Sequence, residues 1–183
     1  MKRKGIVVMV SLLAVFLLIT GCGNKDGQET GEGTGDSTYF GDFEAETLDG
    51  EVVDETIFAQ ADLTMVKVWA TYCGYCIDEM EYYQELNNQF ADRGLQTIGV
   101  VTDIAESDKD LTKKILADNQ ADYVNLLFNG ELQNGLLGQV QALPTTIFVD
   151  KEGNLVGEPV VGMRDVTEWE TLIETYLQEV SNE

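Results

Sequence analysis

The sequence predicts an α/β fold in which a central mixed β-sheet carries helices on both faces. Apolar segments of strand length alternate along the chain with segments of helical length, and this alternation is typical of sheets that are covered on both sides. The segments 63–69 and 95–101 contain a single charged residue, Lys67, as expected of buried strands. Residues from about 39 to 180 are enough for one domain.

Local signals place the elements of the N-terminal half. A first strand is predicted at 43–48, and the turn signal Asp49-Gly50 separates it from a return strand at 51–53. The further elements are a helical turn at 54–59, a buried strand at 63–69, a helix at 74–91 that Arg93-Gly94 ends, and a strand at 95–101.

The C-terminal half continues the alternation. Ser107 is the expected N-cap of a helix at 107–119, and Asp165 opens a final helix that runs to about Val180. Between these helices the sequence predicts strands at 123–128, 145–149 and 154–161, a short helix at 131–140 and a turn at 150–153.

Two cysteines, Cys73 and Cys76, follow the apolar strand that ends at Trp69 and open the next helix. In this setting C-x-x-C is a redox motif, because its spacing lets the two sulfurs close one small ring. The start of a helix offers free backbone N–H groups and the positive end of the helix dipole, which favour the reactive thiolate form. A structural disulfide or two unreactive core thiols are the alternatives.

The composition excludes several rival sites. The chain has three cysteines and no histidine, so without carboxylates or a second subunit it cannot supply the four ligands of a closed zinc site. Ile77 stands where a c-type haem motif needs histidine, and a Cys–His catalytic pair would have no base. Neither a metal nor a cofactor is predicted.

Residues 1–21 have the pattern of a secretory signal peptide. Basic residues at 2–4 precede an apolar run at 6–19, which is short for a membrane span. The run leads into Leu-Ile-Thr-Gly-Cys at 18–22, which resembles the bacterial lipobox. That resemblance implies a lipoprotein that carries acyl chains such as palmitate on Cys22, where several chains would give stable anchoring. An ordinary signal peptide with a chance cysteine is the alternative.

Residues 22–38 predict a lipid-anchored flexible linker, because they are rich in glycine and contain no large apolar residue. The remaining residues, 39–183, form the predicted domain. Acidic residues number 33 and basic residues 11, and loss of residues 1–21 would leave eight bases and a net charge of −25. This charge disfavours nucleic acid and anionic lipid as partners.

Several short segments together resemble one family. They are the run Trp-Ala-Thr-Tyr-Cys-Gly-Tyr-Cys at 69–76, Ala-Leu-Pro-Thr-Thr at 142–146, the turn at 150–153 and Gly162. From about Phe40 to Leu177 the chain is similar to the thioredoxin-like superfamily, and in particular to the TlpA/ResA-type membrane-anchored thiol-disulfide oxidoreductases. The resemblance implies a thioredoxin-like fold.

The resemblance also implies roles for individual residues. Cys73 would be the attacking thiol and Cys76 the resolving thiol. Pro144 would follow a cis bond and face the cysteine pair, and the backbone of Leu143 would pair with an extended substrate chain. A trans bond at the start of a strand is the alternative for Pro144.

Five supporting positions have open interpretations. Glu79 matches an acid that tunes the thiols in ResA-type proteins, but it also fits a solvated carboxylate in a first helical turn. Lys67 could supply or relay protons and lower a thiol pKa, although a lysine that extends past its neighbours to solvent is the favoured interpretation. Trp69 and Tyr72 either shape an apolar surface around the motif or pack conventionally. Glu81 stands where relatives have a helix-kinking proline, so that kink is in doubt.

The sequence therefore predicts an extracytoplasmic thiol-disulfide oxidoreductase that is lipid-anchored to a bacterial cell membrane. The resemblance alone favours reduction of partner disulfides, with electrons from a membrane donor and with apocytochrome c or methionine sulfoxide reductase among the partner classes. A peroxiredoxin-type peroxidase is disfavoured because Val66 and Ala70 occupy the positions of its proline and threonine. A non-catalytic binding module is disfavoured by the intact cysteine pair.

Overall fold

The structure, a computed structural model, describes residues 38–104 and 109–182. The predicted signal peptide, Cys22, the linker up to residue 37 and the predicted cap Ser107 lie outside the described residues. Among the residues described, no helix is both long enough and apolar enough to cross a membrane.

The described residues form a five-stranded mixed sheet and a separate two-stranded hairpin. Together their strands are β1 Glu44–Glu46, β2 Val52–Asp54, β3 Leu63–Trp69, β4 Leu95–Val101, β5 Val124–Leu127, β6 Thr145–Asp150 and β7 Val160–Val161. The sheet order is β5-β4-β3-β6-β7, and β1 pairs with β2 in a separate hairpin. Strands β3, β4 and β5 are parallel, whereas β6 is antiparallel to β3 and β7 is antiparallel to β6.

Helical segments connect and cover the strands. They are α1 Gly74–Asp78, α2 Met80–Phe90, α3 Lys109–Asp118 and α4 Val166–Val180, with 3-10 helices at Glu55–Gln60, Ala91–Arg93, Leu132–Asn134 and Leu136–Gln139. Helix α4 opens with a reciprocal cap, in which Asp165 accepts from the Glu168 N–H and Glu168 accepts from the Asp165 N–H. Such a cap stabilises a helix start by about 1 kcal/mol.

The sheet separates two apolar clusters. On one face, Met65 and Trp69 of β3 pack with the cysteines and with residues of α2 and α4. On the other face, Val66 and Val68 pack with aromatic residues of the N-terminal segment and with the 3-10 helices. All seven residues of β3 are buried, and their alternation assigns Lys67 to the face of the cysteines. The predicted α/β architecture is confirmed.

The helix predicted over 74–91 is divided at Glu79, which ends α1 and precedes α2. The Glu79 carboxylate is turned inward, where Oε1 accepts hydrogen bonds from the Arg164 backbone N–H at 3.1 Å and from the Trp169 indole at 3.2 Å. The division thus occurs without a proline, at a residue that is tied to the segment leading into α4.

Glycine explains two further differences from the sequence prediction. The segment 131–140 forms two 3-10 helices rather than one helix, because Gly135 has non-helical dihedral angles and lies so close to the Phe40 carbonyl that a Cβ would come within 1.6 Å of its oxygen. The strand predicted at 154–161 is reduced to β7, since Gly157 has a φ of +69° and Pro159 has no N–H to donate.

Candidate active site

The cysteine pair lies between the end of β3 and the start of α1. Cys73 is the N-cap residue of α1, and its Sγ accepts a hydrogen bond from the Cys76 backbone N–H at 3.3 Å. The two sulfurs are bonded in a disulfide. Cys73 keeps 9% of its surface exposed, whereas Cys76 has 0%. A reagent from solvent therefore meets Cys73 first.

Hydrogen bonds to the neighbouring strands hold the segment that precedes the cysteines. Thr71 donates to the Asp103 carboxylate from its backbone N–H at 3.0 Å and from its hydroxyl at 2.6 Å. The Trp69 indole donates to Asn125 Oδ1 at 2.9 Å. Sequence reasoning missed Asp103 and Asn125. For Asp103 a signal existed, because it follows β4, which is parallel to β3 and ends at the same edge of the sheet.

The two aromatic residues that flank the motif differ in their surroundings. Trp69 is fully buried and packs in the apolar cluster that contains the cysteines. Tyr72 is 77% exposed, and Tyr75, between the two cysteines, is 68% exposed. These two rings present apolar surface to solvent beside Cys73.

An open groove of about 610 Å³ lies in front of Cys73. Leu143 lines this groove together with Cys73, Tyr72 and Tyr75, and none of the residues that line it carries a charge. The Leu143–Pro144 bond is cis, as predicted, and the Pro144 carbonyl accepts from the Gly162 N–H at 2.8 Å. The groove therefore brings together the predicted attacking cysteine and the backbone predicted to pair with substrate.

Behind the cysteines, Lys67 and Glu79 form an ion pair in which neither side chain has any exposure. The distance from Lys67 Nζ to Glu79 Oε2 is 3.5 Å, at which neither atom completes a hydrogen bond to any described residue. The Lys67 ammonium also lies 3.9 Å from the centre of the Tyr83 ring, a cation–π contact. The favoured interpretation of Lys67 as a solvent-reaching lysine is therefore wrong, and so is the solvated interpretation of Glu79.

Burial changes the protonation equilibria of this site. Desolvation lowers the pKa of Lys67 from 10.5 to about 8, and the nearby Glu79 charge opposes that change. Burial also raises the pKa of Tyr83 and of Tyr123 above the ordinary value for tyrosine, with the Glu79 charge acting in the same direction. Both tyrosines are therefore neutral at physiological pH, and the Tyr83 hydroxyl shares a 2.5 Å hydrogen bond with the Thr146 hydroxyl.

Within the described ranges, no three Cys, Asp or Glu side chains are grouped so that they could hold a metal ion. At the rim of an uncharged groove, the Cys73–Cys76 disulfide can exchange with a thiolate that enters the groove, and the reduced pair can exchange with an entering disulfide.

Comparison with known proteins identifies the relatives of this chain. Thiol-disulfide oxidoreductase ResA of Oceanobacillus iheyensis is 26% identical over 163 residues, which are 84% of this chain and 77% of that protein. Thiol:disulfide interchange protein DsbE of Vibrio cholerae is 33% identical over 107 residues, which are 57% of this chain and 52% of that protein. The predicted resemblance to ResA-type proteins is confirmed.

The fold is shared with solved structures. A thiol:disulfide interchange protein of the thioredoxin family from Chlorobium tepidum superposes with a TM-score of 0.66, covers 78% of this chain and 98% of its own, and is 20% identical. At that identity the likeness concerns the fold, and it confirms the predicted thioredoxin-like architecture. The sequence pattern of the AhpC/TSA family matches residues 38–157, which is more than half of the chain. The chain therefore belongs to the AhpC/TSA family.

Proposed function

We propose that this protein is an extracytoplasmic thiol-disulfide oxidoreductase that reduces disulfides in partner proteins. The observation that carries the proposal is the Cys73–Cys76 disulfide at the rim of an uncharged groove. Relatives named as thiol-disulfide oxidoreductases support the activity, and the oxidoreductase prediction is confirmed at that level. The direction of electron flow is the further step that we propose.

The exposures of the two cysteines support a division of roles. In the reduced protein, the Cys73 thiolate attacks one sulfur of a partner disulfide, so that a mixed disulfide forms and the other partner sulfur leaves as a thiolate. The Cys76 thiol then loses its proton and attacks Cys73 Sγ. This step closes the Cys73–Cys76 disulfide and releases the second partner sulfur as a thiolate. Two electrons have then passed to the partner, whose thiolates take protons from solvent.

The groove suggests how a partner chain is held during these steps. An extended segment beside the cis bond would pair with the backbone of Leu143, and its apolar side chains would contact Tyr72 and Tyr75, which are the most exposed large apolar side chains described. Because the lining is uncharged, side-chain ion pairs with the partner would form only outside the groove.

The location and the anchor belong to the same proposal. A lipid on Cys22, followed by a linker at 22–38, would hold the domain near the outer face of the cytoplasmic membrane, where a membrane donor could return electrons to the disulfide. Cys22→Ser in full-length protein tests this by cell fractionation. The variant should leave the membrane fraction, and continued retention of processed Cys22→Ser protein would mean that another feature anchors it.

Two assays on one preparation test the activity. Reduced protein should turn insulin disulfides into thiols in the presence of a chemical electron donor, and should consume hydrogen peroxide no faster than the Cys73→Ser/Cys76→Ser variant does. Insulin reduction that equals that of the double variant would contradict the proposal. Rapid peroxide consumption without insulin reduction would point to the peroxidase instead.

A further inference from the structure

The buried ion pair behind the cysteines takes no part in the sulfur exchange described above. Of the ion pairs among residues 38–104 and 109–182, the Lys67–Glu79 pair alone has both side chains fully buried. Removing two charges from water is unfavourable, and their mutual attraction often fails to repay the penalty. A pair in this position therefore calls for an explanation besides stability.

The pair lies close to the sulfurs. Glu79 follows Cys76 by three residues at the end of α1, and side chains with that spacing on a helix have Cβ atoms about 5–6 Å apart. Lys67 reaches Glu79 from β3, on the face of the sheet that also carries Trp69. Tyr83, which contacts Lys67, packs in the same cluster as both cysteines.

Two hydrogen-bond donors and one cation face the Glu79 carboxylate. Its Oε1 accepts hydrogen bonds from the Arg164 backbone N–H and the Trp169 indole. Oε2 faces Lys67. Without a compensating cation, this buried negative charge would disfavour a thiolate nearby, because like charges disfavour each other's ionised forms.

We propose that Lys67 is a positioning residue for the thiol chemistry: its ammonium group neutralises the charge of Glu79, so that the buried carboxylate does not oppose ionisation of Cys73. Lys67 acts on the sulfur through Glu79 and does not touch the reacting atoms. The inference rests on the proposed redox role, because the thiolate is the species that attacks a disulfide.

The other titratable groups around the pair are two tyrosines and Arg164, whose charge also acts on Tyr83. Tyr83 reaches the pair from α2 and Tyr123 from the segment before β5, and the pKa of each is raised so that both are neutral. Arg164 directs its guanidinium to the backbone carbonyls of Val161 and Met163. Because the pKa of Lys67 is about 8, its ammonium group is mostly charged at pH 7.

The test measures thiol ionisation in the full-length protein. In a Cys76→Ser background, Cys73 cannot form the disulfide with residue 76 and stays a free thiol. The alkylation rate of the peptide that contains Cys73 is measured as a function of pH. This rate gives the pKa of the Cys73 thiol without a contribution from Cys22. In this background Lys67→Met should slow alkylation at pH 7 by about tenfold, as expected for one unpaired charge at this range in a partly polar interior. Adding Glu79→Gln should restore the rate to within about twofold of the background.

Two further variants keep the test decisive. Lys109→Met removes a lysine from a partly exposed ion pair with Glu46, and should leave the Cys73 rate unchanged. If Lys67→Met does not fold, Lys67→Gln replaces it, because the amide keeps a donor for Glu79 while removing the charge.

Two results would overturn the inference. One is a Cys73 pKa that does not change on substitution of Lys67, and the other is a double variant that alkylates as slowly as the Lys67 variant alone. Neither result depends on turnover. Failure of the proposed function would look different. The Lys67 variants would change the Cys73 pKa as expected, but the wild-type protein would not reduce insulin.

Discussion

The cysteine pair separates two regions of opposite character. In front of Cys73 lies an open groove with no charged lining residue and two well-exposed tyrosines. Behind Cys76 lies a closed region in which Lys67 and Glu79 are fully buried and 3.5 Å apart. The front can select a partner by shape and apolar contact, whereas the back can influence the sulfurs through charge that no partner reaches.

The difference teaches how an acidic protein keeps a site for thiolate chemistry. The chain has 33 acidic residues against 11 basic ones, and a surplus of negative charge at the sulfurs would oppose their ionisation. The groove excludes that charge altogether. The buried region admits one carboxylate close to the sulfurs, together with a lysine that neutralises it.

The largest expected effect separates the two sulfurs themselves. Cys73→Ser and Cys76→Ser should each reduce insulin turnover to background, since either change removes one of the two steps. Only Cys76→Ser should accumulate mixed disulfides with partner proteins, because the resolving thiol is missing. Non-reducing gels followed by mass spectrometry of the trapped species provide the measurement. Accumulation with Cys73→Ser instead would reverse the assigned roles.

The next effect tests whether the rear region acts as a unit. Lys67→Met should lower the free energy of unfolding by about 3–5 kcal/mol, because it leaves the Glu79 carboxylate buried and unpaired. The double variant Lys67→Met/Glu79→Gln should recover most of that loss. Urea denaturation of the oxidised proteins measures both values, and additive losses in the double variant would contradict the coupling.

The partly exposed pair provides the matched control for that cycle. Lys109→Met and Glu46→Gln should each change the unfolding free energy by about 1 kcal/mol or less, as is usual for ion pairs near solvent.

The pH dependence of stability should show the same buried lysine. The pKa of Lys67 is about 8 in the folded protein, against 10.5 for a lysine that is not buried. Between these two pH values the unfolded chain therefore binds more protons than the folded protein. The unfolding free energy should therefore rise with pH from about 8 to 10.5, by about 3 kcal/mol at most. Subtracting the unfolding free energy of the oxidised Lys67→Met/Glu79→Gln variant from that of the oxidised protein at each pH isolates this contribution. A difference that does not change with pH would mean that burial does not lower the pKa of Lys67.

The smallest expected effect concerns the front region. Tyr72→Ala and Tyr75→Ala should each lower kcat/KM for a protein disulfide by about tenfold, which is the loss expected if these tyrosines are hot spots of the contact, and should leave reduction of a small-molecule disulfide within about twofold. Tyr82→Ala, on α2 and outside the groove, is the control. Equal losses on both substrates would indicate damage to the thiols rather than to partner binding.

Much of the fold follows from short-range patterns. The bounds predicted for β3 and β4 agree with the structure, because apolar segments between turn signals report buried strands directly. The predicted cap at Asp165 and the predicted turn at Asp49-Gly50 are also present in the structure, because both depend on neighbouring residues. The prediction failed where a distant contact decides, as at Glu79, Gly135 and the segment before β7.

By itself, the sequence determined that this protein carries a redox pair at a strand–helix junction, because ring closure between two cysteines and the cap at a helix start are local properties. The tertiary structure decided what surrounds the sulfurs. Lys67 and Glu79 are 12 positions apart and meet only when β3 packs against α1, and Glu79 is anchored by Arg164 and Trp169, which follow it by 85 and 90 positions. A lysine in a strand is ordinarily expected to reach solvent, and only the packing of all three segments removes that path.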